Sequence, residues 1–260
     1  MTDNGFDRVV ESPPSREWGK TLLRQAKRVV VLTGAGISTD SGIPDFRGPQ
    51  GVWTRDPEAE KLSDIRYYLN DPGIRKKAWR SRIESPAMGA KPNAGHYAML
   101  ALEQRGVLDT LITQNIDGLH QKAGSSPDKV IEIHGTMRFV RCMACDYRVP
   151  MEKIVVRLNA GEDDPDCPDC GGILKSATIS FGQNLVAADL ARAEQAARFC
   201  DLILSVGTTL SVHPVAGLVP LAKQAGAKVI IVNGSPTAMD DLADAVLYGD
   251  IGELLPILVG

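Results

Sequence analysis

The sequence predicts an α/β protein: a doubly wound, mostly parallel sheet with a smaller lobe built from two insertions. Three observations predict it. Continuous apolar runs ending in small or polar residues recur along the chain, at RVVVLTGAGIS (28–38), Val107 to Thr113, Leu202 to Gly207 and Lys228 to Asn233. Such runs suit strands of a parallel sheet covered on both faces. Helix-like stretches lie between them, at 93–105, 187–199 and 214–226, and strand–helix alternation is the mark of a doubly wound sheet. Two segments break the rhythm: 48–92, centred on RYYLNDPGIRKKAWRSR, and 138–176, with four cysteines and the loop NAGEDDPDCPDCGG.

Composition sets the outer limits. A chain of 260 residues is long enough for one large domain, or one large domain carrying a smaller lobe. With 43% hydrophobic and 23% charged residues, it reads as an ordinary globular chain. A formal net charge of −3 argues against a chain-wide electrostatic grip on nucleic acid, so no direct nucleic-acid partner is expected. No stretch approaches the roughly 18–20 uninterrupted apolar residues that span a bilayer. The N-terminus has no continuous apolar core of a signal peptide. A cytoplasmic protein away from membranes is the expectation, with the oligomeric state left open.

In chain order, the first dozen or so residues are polar, contain Pro13 and Pro14, and predict a loose tail. An amphipathic helix follows, with Trp18, Leu22, Leu23 and Ala26 on one face. The first strand ends in Gly34-Ala35-Gly36-Ile37-Ser38, where glycines let backbone approach a phosphate and a following helix N-terminus offers unpaired N–H groups. Thr39 breaks the full G-x-G-x-x-G pattern, and the usual acid about 20 residues on is absent; a plain strand-to-helix turn reads equally well. Asp40-Ser41-Gly42-Ile43-Pro44-Asp45-Phe46-Arg47-Gly48 follows. Its ring can exclude water while Asp45 and Arg47 pair with each other or with a polar substrate; a solvated turn is the alternative.

Thr113-Gln114-Asn115-Ile116-Asp117-Gly118-Leu119-His120 ends the next strand. Its two amides and carboxylate suit ribose hydroxyls or a carboxamide, while Asn115 and Asp117 could equally serve turn and helix-capping chemistry. His134-Gly135 follows the alternating VIEIH, and histidine is the side chain best suited to proton transfer near neutral pH. A lone histidine at a strand end is more often structural, as holds for His96, His120 and His213. Gly207-Thr208-Thr209-Leu210-Ser211-Val212 and Val232-Asn233-Gly234-Ser235 end two later strands. Four strand-end motifs at one sheet edge describe a dinucleotide site.

The cysteines carry the sharpest chemistry. Cys142 and Cys145 form one Cys-x-x-Cys pair, Cys167 and Cys170 another, with 21 residues between. Two such knuckles can present four thiolates as a tetrahedron, which suits Zn²⁺; four protein ligands leave no open position, so the metal is structural. A dithiol redox pair or free thiols are the competing readings. Cys200 lies in an apolar segment and reads as a packing residue.

Taken together, GAGIS, PDFRG, TQNIDGLH, HG, the two Cys-x-x-Cys pairs, GTTLSV and VNGS resemble the sirtuin family in order and approximate spacing, from about residue 20 to residue 252. The resemblance implies a single catalytic domain over 1–260 with a Rossmann-like large lobe (15–47, 93–137 and 177–260). The small lobe holds a helical insertion (48–92) and a zinc-ribbon-like module (138–176). It implies an NAD⁺-dependent protein-lysine deacylase, with deacetylation favoured. NAD⁺ is the co-substrate, Zn²⁺ is structural, and acylated lysines in proteins are the partners. Nicotinamide, O-acyl-ADP-ribose and free lysine are the products.

Residue by residue, it assigns Gly34, Ala35 and Gly36 to the phosphates, and Asp45, Phe46 and Arg47 to the cofactor loop. Gln114, Asn115 and Asp117 fall to the nicotinamide ribose and carboxamide, with Asn115 counted beside His134 as catalytic and His134 the general base. Gly207, Thr208, Thr209 and Ser211 belong to the second phosphate and peptide-facing loop. Asn233 and Gly234 serve the adenosine ribose, and Asp250 and Ile251 the adenine. The peptide adds as a strand between Ser180-Phe181-Gly182 and the Leu210–His213 segment, which includes Val212. In such enzymes the acyl-lysine carbonyl oxygen displaces nicotinamide from C1′, a base activates a ribose hydroxyl that takes over the acyl group, and water completes the transfer.

Four positions depart from relatives. Arg80 and Ile83 stand where relatives favouring succinyl or malonyl lysine carry tyrosine and arginine. Gln183 replaces a common acid, and Thr209 replaces a common serine. Protein mono-ADP-ribosyl transfer is the alternative activity, and a non-catalytic NAD⁺-sensing module the alternative of another class.

Overall fold

The computed structural model describes residues 13–48 and 51–260, with side chains from residue 16; the loose tail expected over the first dozen or so lies mostly outside these described residues, but Pro13 and Pro14, expected in it, instead open α1. Helix α1 (Pro13–Gln25) leads into β1 (Val29–Thr33), which turns through a 3₁₀ segment, Ala35–Ser41. The first insertion contributes α2 (Val52–Arg55), α3 (Ile65–Asn70) and α4 (Pro72–Ile83). The main body resumes with α5 (Ala94–Gln104), β2 (Leu108–Thr113), α6 (Leu119–Ala123) and β3 (Val130–Glu132). The second insertion brings β4 (Gly135–Cys142), β5 (Arg148–Pro150), α7 (Met151–Asn159) and β6 (Leu174–Thr178). The chain finishes with α8 (Ala187–Phe199), β7 (Leu202–Val206), α9 (Leu218–Gln224), β8 (Lys228–Asn233), β9 (Ala245–Tyr248) and α10 (Ile251–Val259).

The large sheet runs β3-β2-β1-β7-β8-β9 and is parallel throughout. Its central strands are largely apolar, VVVLT in β1 and LILSV in β7, because both faces are covered. In β1, Val29 and Val31 join the core shared with α1, α5 and α10, while Val30 and Leu32 join the opposite core against α8 and α9. Period-two alternation thus sorts one continuous run into two cores. The order reverses at β1, flanked by β2 on one side and β7 on the other, and such switch points are where open α/β sheets bind ligands.

Two further local expectations are corrected. Trp18 is 46% exposed, while Leu22 and Leu23 are buried and Ala26 packs partly against the same core. The inward stripe starts at Gly19, where a Cβ would stand 3.2 Å from Leu258 Cδ1 and 3.4 Å from Leu247 Cδ1. Positions 19, 22, 23 and 26 follow helical spacing, and the close approach of α1 leaves Trp18 beside the interface. The helix expected after GAGIS is a 3₁₀ segment of 7 residues.

A second, antiparallel sheet, β5-β4-β6, stands apart. Its core joins Val140, Cys142, Cys167, Leu174, Met151 and Ile154 to Trp79 of α4, so the two insertions share one apolar centre. Acid-to-base pairs reinforce it: Arg75 to Asp164 at 2.9 Å, half-buried, and Lys76 to Asp163 at 3.0 Å. Asp71 caps α4 by accepting the Gly73 and Ile74 N–H groups.

Candidate functional site

A cleft of about 1090 Å³ opens at the carboxyl ends of β1, β2, β7 and β8, bounded on its far side by the insertions. At its floor the first and third strand-end motifs interlock. The Gly34 N–H donates to Val206 O and the Gly36 N–H to Gly207 O, both at 2.9 Å. A Cβ at Gly36 would meet Gly207 Cα at 2.7 Å, and one at Gly207 would meet Ile37 N at 2.4 Å, with Gly207 at φ +61°. The glycines are therefore required first for backbone-to-backbone approach at the switch point. That approach leaves Gly34, Ala35, Gly36, Gly207 and Thr208 together on the cleft wall.

Gln114 and Asn115 leave β2 and reach across the end of β1. Gln114 Nε2 donates to Thr208 Oγ1 at 3.1 Å, tying two strand ends together. Asn115 Nδ2 donates to Gly34 O at 3.0 Å and to Ser38 Oγ at 3.2 Å, which leaves Oδ1 as its unengaged atom. Asp117 is buried; Oδ2 accepts the Ser38 hydroxyl at 2.8 Å and Oδ1 accepts the Leu119 N–H at 2.9 Å. The carboxylate thus closes the turn into α6 and also orders the cleft floor. Behind Ser38 lies His96, buried and held by Asn93 in a capping box at the start of α5. Burial pushes His96 down to about 4, against the opposing pull of Asp117. His120 is also buried, bonded to Thr33 Oγ1 at 3.1 Å and likewise driven down by burial. Both are neutral core histidines, whereas His213 is exposed.

His134 differs. It lines the cleft just beyond β3, with Nδ1 3.2 Å from Gln114 O. A carbonyl only accepts, so Nδ1 carries the proton and Nε2 is left as the basic nitrogen. Burial lowers its proton affinity below the usual imidazole value, with the Gln114 bond opposing. Gly135 follows at φ +73°, where a Cβ would meet Ala177 O at 2.2 Å; only glycine lets β6 close on the histidine.

Asp45 and Arg47 do not choose each other. The Asp45 carboxylate accepts the Gly48 N–H at 2.9 Å, and the Arg47 guanidinium lies over the Trp53 ring at 4.6 Å. Phe46 is 40% exposed on the cleft. Opposite, Ser180 is engaged with Gln183: its N–H donates to Gln183 Oε1 at 2.9 Å and its carbonyl accepts the Gln183 N–H at 3.0 Å. Phe181 is paired on both backbone groups, to Ser63 and Ile65. Gly182 has no backbone hydrogen-bond partner among the described residues. Across the cleft Thr209 Oγ1 and Ser211 Oγ are 2.7 Å apart, and Val212 lines the wall. Leu210 does not: its side chain is 1% exposed in the core, at φ +55°, so only its backbone can face a ligand. At the other end, Asn233 Nδ2 donates to Ser235 O at 2.7 Å, and Gly234, Asp250 and Ile251 complete the wall. Burial and the neighbouring Asp250 raise the Asp40 carboxyl there.

The four paired cysteines converge with all Sγ atoms within 4.8 Å of one another. Three of the separations are 3.6, 3.6 and 3.4 Å, far beyond a disulfide bond of about 2.05 Å. They match the ~3.8 Å edge of a tetrahedron drawn around Zn²⁺ with Zn–S of about 2.3 Å. The donor set therefore fits zinc, with no vacant ligand position for catalysis. Cys200 is buried away from this cluster.

Ser38, His96, Trp53, Trp79 and Lys175 were not singled out from the sequence as site residues. Ser38 stood inside GAGIS, and its partners lie 77 and 79 residues away. Lys175 is 3% exposed at the cleft wall, with Nζ donating to Thr178 O at 2.6 Å, and burial lowers it to about 7. Nothing in its sequence context marks it.

A parallel sheet with a strand-end cleft beside a closed thiolate cluster defines a Rossmann-like nucleotide-binding protein carrying a structural metal module. The model of the Sir2 family matches residues 34–214. The chain is 51% identical over 231 residues to the NAD-dependent protein deacetylase 2 of Streptomyces coelicolor, covering 89% of this chain and 96% of that one. It is 40% identical over 240 residues to the NAD-dependent protein deacylase 2 of Archaeoglobus fulgidus, 92% of each. Among solved structures it is similar to a Sir2 protein with a p53 peptide and NAD⁺ (TM-score 0.81, 36% identity, 91% of this chain and 93% of that). It is also similar to a Sir2 protein bound to a propionylated peptide (TM-score 0.83, 34% identity, 92% and 95%). The chain belongs to the Sir2 family.

Proposed function

We infer that this chain is an NAD⁺-dependent protein-lysine deacylase, acting on acetyl-lysine in preference to other acyl groups. The observation that carries this reading is His134: neutral near pH 7, tautomerically fixed by Gln114, and facing a cleft large enough for a dinucleotide and a side chain together. Membership of the Sir2 family supports it independently.

The cleft residues fit NAD⁺. Gly34, Ala35, Gly36, Gly207 and Thr208 offer backbone to the phosphates, Asn115 an open carbonyl, and Asn233 a carboxamide to a ribose. When bound, NAD⁺ supplies the ribose carbon from which nicotinamide departs and the hydroxyls that receive the acyl group. In this reading His134 Nε2 takes the proton from such a hydroxyl, since Nδ1 is committed to a carbonyl. Asn115, braced by Gly34 and Ser38, orients the ribose and the carboxamide, and Phe46 excludes water. The peptide lies between Gly182 and residues 210–213 through backbone bonds; Thr209 preserves a hydroxyl in that loop, and Gln183 serves a turn instead of carrying charge. The large lobe of 15–47, 93–137 and 177–260 and the small lobe of 48–92 and 138–176 belong to this reading. Separate cores for the two sheets support it. A cytoplasmic setting is consistent with four free thiols held for a metal and with no described helix being long and apolar enough to cross a membrane.

A set of peptides differing only in the acyl group, incubated with NAD⁺ and followed by mass spectrometry, tests the reading. Acetyl-lysine peptide losing its acetyl mass fastest supports it. A peptide that keeps its acyl group and gains ADP-ribose overturns it in favour of ADP-ribosyl transfer.

A further inference from the structure

The cofactor loop and the peptide-facing segment belong to different parts of the chain, yet one indole lies between them. Residues 51–53 bond back to residues 45–46: the Val52 N–H donates to Asp45 O at 2.8 Å and the Trp53 N–H to Phe46 O at 3.0 Å, while the Asp45 carboxylate holds the Gly48 N–H. Gly51 makes this closure possible, because a Cβ there would come within 2.5 Å of the Phe46 carbonyl carbon. Trp53 is thereby pinned to the backbone of Phe46, and its ring faces three groups. The Phe46 ring is 4.8 Å away at 42°, the Arg47 guanidinium 4.6 Å away, and the Phe181 ring 5.6 Å away at 57°. Phe181 is itself braced by backbone bonds to Ser63 and Ile65. The peptide-facing segment is thus held from one side by the helical insertion and touched from the other by the cofactor loop.

This cluster is not core. Phe46 and Phe181 are each 40% exposed, Trp53 is half-buried, and all three line the cleft. An exposed aromatic contact biases a conformational equilibrium by only about two- to tenfold, which is enough to favour one loop position and too little to lock it. Anything that orders Phe181 will favour the loop position that stacks Trp53, and anything that orders Phe46 and Arg47 will do the same from the other end. By thermodynamic linkage the effect is equal in both directions.

We propose that Trp53 is a positioning residue that couples the two substrates, so that acyl-peptide on the Phe181 side and dinucleotide on the Phe46–Arg47 side tighten each other's binding through its ring. The proposal rests on the deacylase reading above for the identity of both ligands.

Calorimetry with a non-cleavable NAD⁺ analogue, with and without saturating acetyl-lysine peptide, tests it. In the wild-type chain the peptide tightens analogue binding by about threefold or more, and the analogue tightens peptide binding by the same factor. Trp53→Ala brings that ratio to one, while Trp53→Phe, which keeps a ring in place, restores most of it. Phe181→Leu breaks the same contact from the opposite side, lowers the ratio likewise, and decides the matter should Trp53→Ala fail to fold. Trp18→Ala, at the exposed indole of α1, leaves the ratio unchanged. In turnover, Trp53→Ala raises KM for both substrates more than it lowers kcat. A wild-type ratio of one, an unchanged ratio in folded Trp53→Ala or Phe181→Leu, or equal loss in Trp53→Ala and Trp53→Phe overturns the proposal. Failure of the wild-type chain to bind the peptide overturns instead the deacylase reading, so the two failures are distinguishable.

Discussion

At the residue scale, the decisive contact is the one that costs His134 a nitrogen. With Nδ1 donating to Gln114 O, only Nε2 can accept a proton, and burial keeps the ring neutral to lower pH than a solvated imidazole. With His134 as the proposed base, the active form is deprotonated, so turnover rises as pH climbs through a pKa below the ordinary 6.5 and is flat above it until another group titrates. A kcat/KM profile with its acid limb below pH 6.5 agrees with this; a limb above that value contradicts it. His134→Ala is expected to cost about 10²- to 10⁴-fold in turnover while NAD⁺ affinity stays within a few-fold, as read by calorimetry. Residue type and strand-end position marked His134 and the TQNID cluster as candidates, but only the family resemblance assigned them roles. Ser38 was not so marked. Its role exists only through Asp117 and Asn115, which the fold brings to it from the next strand.

At the scale of elements, the glycines and cysteines teach opposite lessons. The Cys-x-x-Cys pairs announce their geometry locally, because each knuckle must fold the same way to present two thiolates. The structure adds that Cys142 and Cys167 also belong to the core holding Trp79 of α4. Metal binding contributes on the order of 10 kcal/mol to the folding of small zinc modules. Cys142→Ser should therefore lower zinc from one per chain and loosen α4 with the small sheet, seen as loss of amide-exchange protection there before the large sheet opens. Full zinc occupancy in that variant would remove Cys142 from the ligand set. GAGIS, by contrast, read equally as a phosphate loop or a plain turn, and Gly36 and Gly207 are needed first for each other. Gly207→Ala should cost roughly 1–3 kcal/mol, from a strained positive φ and contact with the backbone of Gly36 and Ile37; urea denaturation measures it. Trp18 misled for a related reason, since the helix buries its glycine and not its largest apolar residue.

At the scale of the molecule, the strand order around β1 explains why four motifs spread over 200 residues of chain serve one cleft. Each parallel strand delivers its carboxyl end to the same edge, and the reversal at β1 opens the gap between β2 and β7 loops. Alternating apolar runs and helices made that sheet readable. The antiparallel β5-β4-β6 sheet and β9 were not, because short strands of mixed polarity carry weak periodicity, and Pro256 inside α10 hides that helix. The pairing of the two insertions through Trp79 was likewise invisible, since no local pattern encodes a contact between segments so far apart. The account's central claim is that this cleft transfers an acyl group from lysine to the ADP-ribose part of NAD⁺. The most direct measurement is the product balance of one reaction, NAD⁺ with an acetyl-lysine peptide, quantified by chromatography and mass spectrometry. The account predicts nicotinamide, free-lysine peptide and O-acetyl-ADP-ribose in equal amounts, with the free-lysine peptide and O-acetyl-ADP-ribose lost together in His134→Ala. Free acetate in place of O-acetyl-ADP-ribose from the outset, or nicotinamide released while the peptide keeps its acetyl group, would contradict it.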